Sequence, residues 1–168
     1  MSESGEKLID APFSIIIDSR EQKPYTFECL YENADKGNAR IVVPTIRAAL
    51  EVGDYSLFGY ANLITLERKS KSDLYQSVSQ NRDNFIKRLE RMREFAFSAV
   101  VVESSWDDLL IPPKFTQFSP KSLSRTIQAW MVRFPVVHWL MVPDRDWGEA
   151  FTFRILQRFW LDRQGDRE

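Results

Sequence analysis

The sequence predicts an α/β domain whose mixed central sheet is flanked by helices on both faces. Three observations support this. Short β-branched runs such as FSIIID (13–18) and SAVVVES (98–104) have the pattern of strands buried on both sides. Within 72–96 and 119–134 the apolar spacing lengthens to a helical period. Strands and helices then alternate along the chain, the order expected of a layered sheet with crossover helices.

Taken in order, residues 1–12 are polar, end at Pro12 and read as a flexible N-terminal tail. Phe13 to Asp18 is the first strand. YENADKG (31–37) reads as a loop and ARIVVP (39–44) as a short strand. Tyr55–Phe58 and Leu63–Glu67 are two strands joined by GYAN as a hairpin turn. From Ser72 to Ala96, the residues Leu74, Val78, Phe85, Leu89, Met92 and Ala96 share one helical face, and Ser72 or Asp73 can cap its start. After the strand at 98–104 comes SPKSLSRTIQAWMVRF, a helix with Ser119 as N-cap and Pro120 in its first position. VVHWLMV (136–142) is the last strand and Trp147 to Leu161 the last helix. With no internal repeat, residues 13–162 form one domain and 163–168 a C-terminal tail.

Composition narrows the function classes. The chain has 168 residues, 43% hydrophobic and 13% aromatic, enough for a real core. No apolar run reaches the ~18 residues of a membrane span, and the N-terminus lacks a secretory pattern, so a cytoplasmic protein with no membrane partner is expected. The single cysteine, Cys29, excludes an internal disulfide, and the single histidine, His138, excludes a histidine-rich metal centre. Net charge is −1, but residues 67–93 hold eight basic against four acidic side chains. Such a run is either a solvated helix face or a phosphate-binding surface.

Four acids border the apolar strand runs: Asp18, Asp54, Glu67 and Glu103. Singly, each is an ordinary loop residue. Glu67 and Lys69, however, are two apart on an extended segment and point to one side, and Asp54 begins the antiparallel neighbour. Two close carboxylates repel and raise each other's pKa unless a cation neutralises them. Oxygen ligands alone favour Mg²⁺ or Mn²⁺, which can polarise a phosphodiester and activate water, while a lysine steadies the developing charge. As a bare pattern, acid followed by acid-x-lysine is weak.

The set DSRE (18–21), VGDY (52–55) and ERKSKSD (67–73) resembles the nuclease domain of the XPF family, with its GD, spacer, ERK, three residues, D signature. The resemblance spans most of 13–161 and points to the free-standing bacterial and phage branch, with nucleoid-associated work in the cytoplasm. It implies a restriction-endonuclease-like fold and a metal-dependent, structure-selective DNA endonuclease. By that resemblance Asp54 and Glu67 hold the metal, Asp18 supports it, and the Arg68 carbonyl is a further ligand. Lys69 is the catalytic lysine. Arg68 and Asp73 complete the catalytic set, with Asp73 pairing with Arg68, capping the next helix or acting directly. Arg20, Glu21, Arg68, Lys71, Arg82, Lys87 and Arg88 are the residues expected to face DNA.

The family also appends a tandem helix-hairpin-helix module, for which the seven residues after Leu161 leave no room. Three alternatives follow: a non-catalytic partner subunit, an active domain targeted by another protein, or a different PD-(D/E)XK enzyme such as a junction resolvase. The five tryptophans (106, 130, 139, 147 and 160) are expected mainly to fill the core rather than stack on bases, and His138 to be packed in its strand. The final helix, WGEAFTFRILQRFWL, is apolar round much of its circumference and is either deeply buried or shared with a second copy.

Overall fold

The computed structural model describes residues 7–34, 37–114 and 116–165. Its main sheet has six strands: β2 (Ile15–Asp18), β5 (Thr45–Ala48), β6 (Tyr55–Leu57), β7 (Ile64–Ser70), β8 (Phe97–Glu103) and β9 (Val137–Val142). Their spatial order is β5-β2-β6-β7-β8-β9. β6 runs antiparallel to β2 and β7, whereas the β2–β5, β7–β8 and β8–β9 pairs are parallel. A separate three-stranded sheet, ordered β1-β4-β3, comprises β1 (Leu8–Asp10), β3 (Tyr31–Ala34) and β4 (Gly37–Val42).

The helices are α1 (Lys71–Val78), α2 (Arg82–Met92), α3 (Trp106–Leu109), α4 (Pro120–Arg133) and α5 (Arg145–Gln164). They divide between the two faces of the main sheet. Ala99 and Val101 of β8 join the core that includes Phe153 and Leu156 of α5. Val100 and Val102 point the other way, into the core of Leu74, Leu89 and Ile127 from α1, α2 and α4. This is why VVV reads as an unbroken apolar run. Each large apolar side chain so enclosed contributes about 1.5–3 kcal/mol.

The helix ends follow local chemistry. Ser119 accepts from the Ser122 amide at 3.1 Å and Pro120 opens α4, as the sequence predicts. Asp144 accepts from the Trp147 amide at 3.0 Å to start α5, and Gly165 ends it in the left-handed region with φ 92°.

Several expectations are corrected. Leu8–Asp10 is not loose tail but pairs with Arg40–Val42, while residues 1–6 lie outside the described residues. Much of YENADKG is strand rather than loop; residues 35 and 36 within it lie outside the described residues. The helix expected over 72–96 is two, broken at Ser79–Asn81, and its cap is Ser70 rather than Ser72 or Asp73. The last helix runs on to Gln164, past the boundary expected at 162, and residues 166–168 lie outside the described residues. His138 is exposed and stacks on Phe97 at 4.7 Å, rather than being enclosed. Trp130 is buried and Trp139 and Trp160 pack against the core, as expected, whereas Trp106 and Trp147 are 37% and 54% exposed.

Candidate active site

A polar cleft of about 440 Å³ opens where β2 and β7 end and β6 begins, with α1 and α2 along its side. Asp18, Arg20, Glu21, Asp54, Glu67, Arg68, Lys69, Asp73 and Arg88 all border it, joined by Gln22 and Lys23. The backbone before β6 sets its geometry. Gly53 has φ +84°, and a Cβ there would meet Thr65 Oγ1 at 2.1 Å and the Leu66 carbonyl at 3.0 Å. Only glycine takes that conformation at that distance without strain. The next residue, Asp54, donates its amide to the Leu66 carbonyl at 2.8 Å and accepts the Arg68 amide on Oδ2 at 2.7 Å. The β7 backbone therefore holds the carboxylate of Asp54 beside Glu67.

Glu67 is 1% exposed. Its Oε1 accepts from Arg88 at 2.5 Å and lies 3.1 Å from Lys69 Nζ. Its Oε2 is buried without a hydrogen-bond partner. Burial, and then the charge of Glu67, push the Asp54 carboxyl well above the ordinary carboxylate range. An orphaned carboxylate oxygen beside an acid that resists ionising fits a hard cation. Although five acids border the cleft, among the described residues no three histidine, cysteine or acidic side chains are placed so that together they could hold a metal ion. A cation here would thus draw on two carboxylates, with backbone oxygen and water completing the shell, the manner in which Mg²⁺ is commonly held. Lys69, two residues beyond Glu67 on the same side of β7, is steadied by the Phe85 ring at 4.9 Å.

Asp18 is engaged differently. It is 2% exposed and accepts from the Arg20 amide, Arg20 Nε, Arg20 Nη2 and the Leu50 amide at 2.7–2.9 Å. Burial opposes its charge, but these hydrogen bonds prevail and hold its carboxyl at about 2. Its present contacts make it the anchor of Arg20, whose guanidinium stays largely in solvent at the cleft.

Arg68 pairs not with Asp73 but with Glu103, through Nε at 2.7 Å and Nη2 at 2.8 Å. It lies over the Tyr25 ring at 5.8 Å and 3.9 Å from Glu21. Asp73 instead accepts the Ser70 hydroxyl at 2.6 Å and donates its amide to that hydroxyl at 3.2 Å, so it steadies Ser70, the cap of α1, at the rim of the cleft. Of the expected DNA-facing residues, Arg20, Glu21, Arg68 and Arg88 reach the cleft. Arg82 turns away to Thr126 at 3.1 Å and the Trp130 ring at 5.2 Å. Lys71 pairs with Asp108 at 2.8 Å, and Lys87 borders a separate hollow with Glu51, Glu90 and Arg91.

The supporting residues that sequence reasoning did not assign are Glu103, Tyr25 and the Leu50 amide. Glu103 was visible as an acid at a strand end, but its partner is 35 positions away and meets it only through the parallel β7–β8 register. α5 packs behind this group so tightly that a Cβ on Gly148 would meet the Tyr25 hydroxyl at 2.4 Å and Glu103 Cγ at 3.4 Å.

A family model described as the ERCC4 domain matches residues 17–147. XPF from Aeropyrum pernix superposes with a TM-score of 0.59 at 19% identity, covering 91% of this chain and 67% of that one. XPF from Aeropyrum pernix in complex with DNA gives 0.63 at 21% identity, over 90% of this chain and 66% of that one. This likeness shows a common fold, the restriction-endonuclease-like mixed sheet. The chain spans about two thirds of the length of each of these structures. No curated protein matches in sequence.

Proposed function

We propose, from the premise that this chain belongs to the ERCC4-domain family of XPF-type nucleases, that it hydrolyses phosphodiester bonds in branched or gapped DNA. The nuclease domain is assigned to residues 13–162, acting in the cytoplasm or nucleoid in repair, recombination or replication. The observation that carries this is the pairing of Asp54 with the unpartnered Glu67 Oε2, next to Lys69. Asp54 and Glu67 would hold Mg²⁺ or Mn²⁺, which supplies Lewis-acid polarisation of the phosphate and a more acidic water.

The chain's own groups do the rest. Lys69 has three N–H donors, one directed to Glu67, and presents the others to the attacking water and the scissile phosphate. Arg88 and Arg20 place positive charge at the cleft wall and rim, where phosphate oxygens would lie. Arg68, clamped by Glu103, fixes the end of β7 so that Glu67 and Lys69 keep their spacing. Asp73 acts by steadying Ser70, the cap of α1, and Asp18 by holding Arg20.

The outer face of α5 supports association with a second copy or a targeting protein, since Trp147 and Phe151 are 54% and 39% exposed there. Sedimentation of the purified chain tests the former. Among the described residues no helix is long and apolar enough to cross a membrane.

The test of the activity is cleavage of labelled flap, fork, gapped and four-way-junction DNA with Mg²⁺ or Mn²⁺. Wild-type protein is expected to cut at least one of them, and Asp54→Asn and Lys69→Met to cut none. Wild-type protein that leaves every substrate intact in both metals, while correctly folded, sinks the reading.

A further inference from the structure

Beside the cleft lies a second groove of about 580 Å³, between α1 and the segment that follows α3. Its border is formed by Ser72, Gln76, Ser79 and Gln80 on one side and Lys114, Thr116, Gln117 and Phe118 on the other, over Tyr75 and Pro113. Its size is that of a small-molecule or nucleotide site. Both are bordered by the start of α1: Asp73 borders the cleft and Ser72, the residue before it, borders the groove.

The lining is unusual for this chain. Acids make up 24 of its 168 residues, yet among the described residues none borders the groove, and Lys114 is the one charged side chain there. Among the described residues, the side chains of Gln76, Gln80, Lys114 and Gln117 have no hydrogen-bonding or ionic partner within the protein. By contrast, the cation at the edge of the same helix, Lys71, is neutralised by Asp108. Four unengaged hydrogen-bonding side chains, three of them uncharged amides, therefore face one cavity together with the half-buried Phe118 ring.

Amides donate to phosphate and to base edges alike, Lys114 suits a phosphate, and an aromatic ring suits a base face. A duplex presents its bases stacked and paired, whereas one strand offers all three groups at once. From these contacts we infer that the groove binds a short run of single-stranded nucleic acid, receiving the unpaired arm of a substrate whose junction sits at the cleft. The inference rests on the nuclease reading for the identity of that substrate, but the groove's affinity for a strand stands apart from catalysis.

The test uses the full chain in EDTA, where no cleavage occurs, and a fluorescein-labelled dT12 strand followed by anisotropy. The double variant Lys114→Glu, Gln117→Glu is expected to weaken binding at least tenfold, and Lys114→Arg to retain it. A strand carrying 5-iodouracil, irradiated on the wild-type protein, is expected to cross-link to a peptide containing Phe118 or Tyr75. Circular dichroism melts check that the variants, altered only at positions outside the core, remain folded. Unchanged dT12 affinity in the folded double variant, no strand binding by wild type, or cross-links mapping wholly outside the groove each overturn the proposal. A nuclease reading that fails would show instead as absent cleavage with strand binding intact.

Discussion

Arg88 of α2 donates to Glu67 at 2.5 Å, so the most deeply enclosed acid of the cleft is balanced by a side chain from a different element, 21 positions away. The guanidinium is 43% exposed and the carboxylate 1%, an asymmetry that decides what its removal does.

Arg88→Ala leaves a buried carboxylate with Lys69 as its remaining charge partner. Breaking a buried pair costs several kcal/mol; discounted for the exposure of Arg88, the loss is expected to be about 2 kcal/mol, or roughly 4–8 °C in melting temperature. In EDTA the variant should melt below wild type by that amount. Added Mn²⁺ should raise its midpoint more than it raises that of wild type, because the cation replaces the missing charge. Equal melting in EDTA would refute the pairing's contribution.

Asp54→Asn separates stability from activity. Burial and the charge of Glu67 hold the Asp54 carboxyl above its unfolded value, so its contribution to folding is greatest at low pH and declines as pH rises through the folded pKa. In EDTA at pH 8 the variant should therefore melt higher than wild type, with the gap closing toward acid. In Mn²⁺ the order should reverse, and cleavage should fall by at least about 10²-fold.

Gly53→Ala combines a left-handed backbone with a steric clash on both Thr65 Oγ1 and the Leu66 carbonyl. Each effect costs about 1–3 kcal/mol, so a loss of about 2–6 kcal/mol is expected in urea denaturation. Thr65→Ala in the same chain should recover only part of it, since the carbonyl and the φ angle remain. Cleavage should also drop, because Asp54 is the adjoining residue.

Asp18 makes folding stability sensitive to acid. Its carboxyl sits at about 2 in the fold against an ordinary 3.8, so its contribution is complete above roughly pH 4 and is lost as pH falls toward 2. With Arg20 largely exposed, that contribution is about 1–2 kcal/mol. Asp18→Asn should be destabilised by this amount at pH 7 in EDTA and should match wild type near pH 2.

Much of this arrangement was legible in the residues. The β-branched runs at Ile15–Asp18 and Phe97–Glu103 read as strands because both their faces are covered. The two-residue spacing of Glu67 and Lys69 put both on one side of β7, and their 3.1 Å contact agrees. Strand β5 escaped notice because TIRA is short, mostly exposed and carries a charge at the sheet edge. The break between α1 and α2 was hidden by periodicity, since Val78 and Phe85 are seven apart and both buried, as on one continuous helix. The turned-away position of Arg82 depends on Trp130 in α4, a contact across 48 positions that local pattern cannot encode.

The close approach at Gly148 makes α5 more than a cover for the sheet. The residues on either side, Trp147 and Glu149, face solvent and the Phe27 amide respectively, while the glycine itself bears on Tyr25 and Glu103. Any side chain at position 148 would displace the ring and the carboxylate against which Arg68 rests. Position 148, at the back of the sheet, is thus one contact removed from the Arg68 end of β7, the strand that carries Glu67 and Lys69.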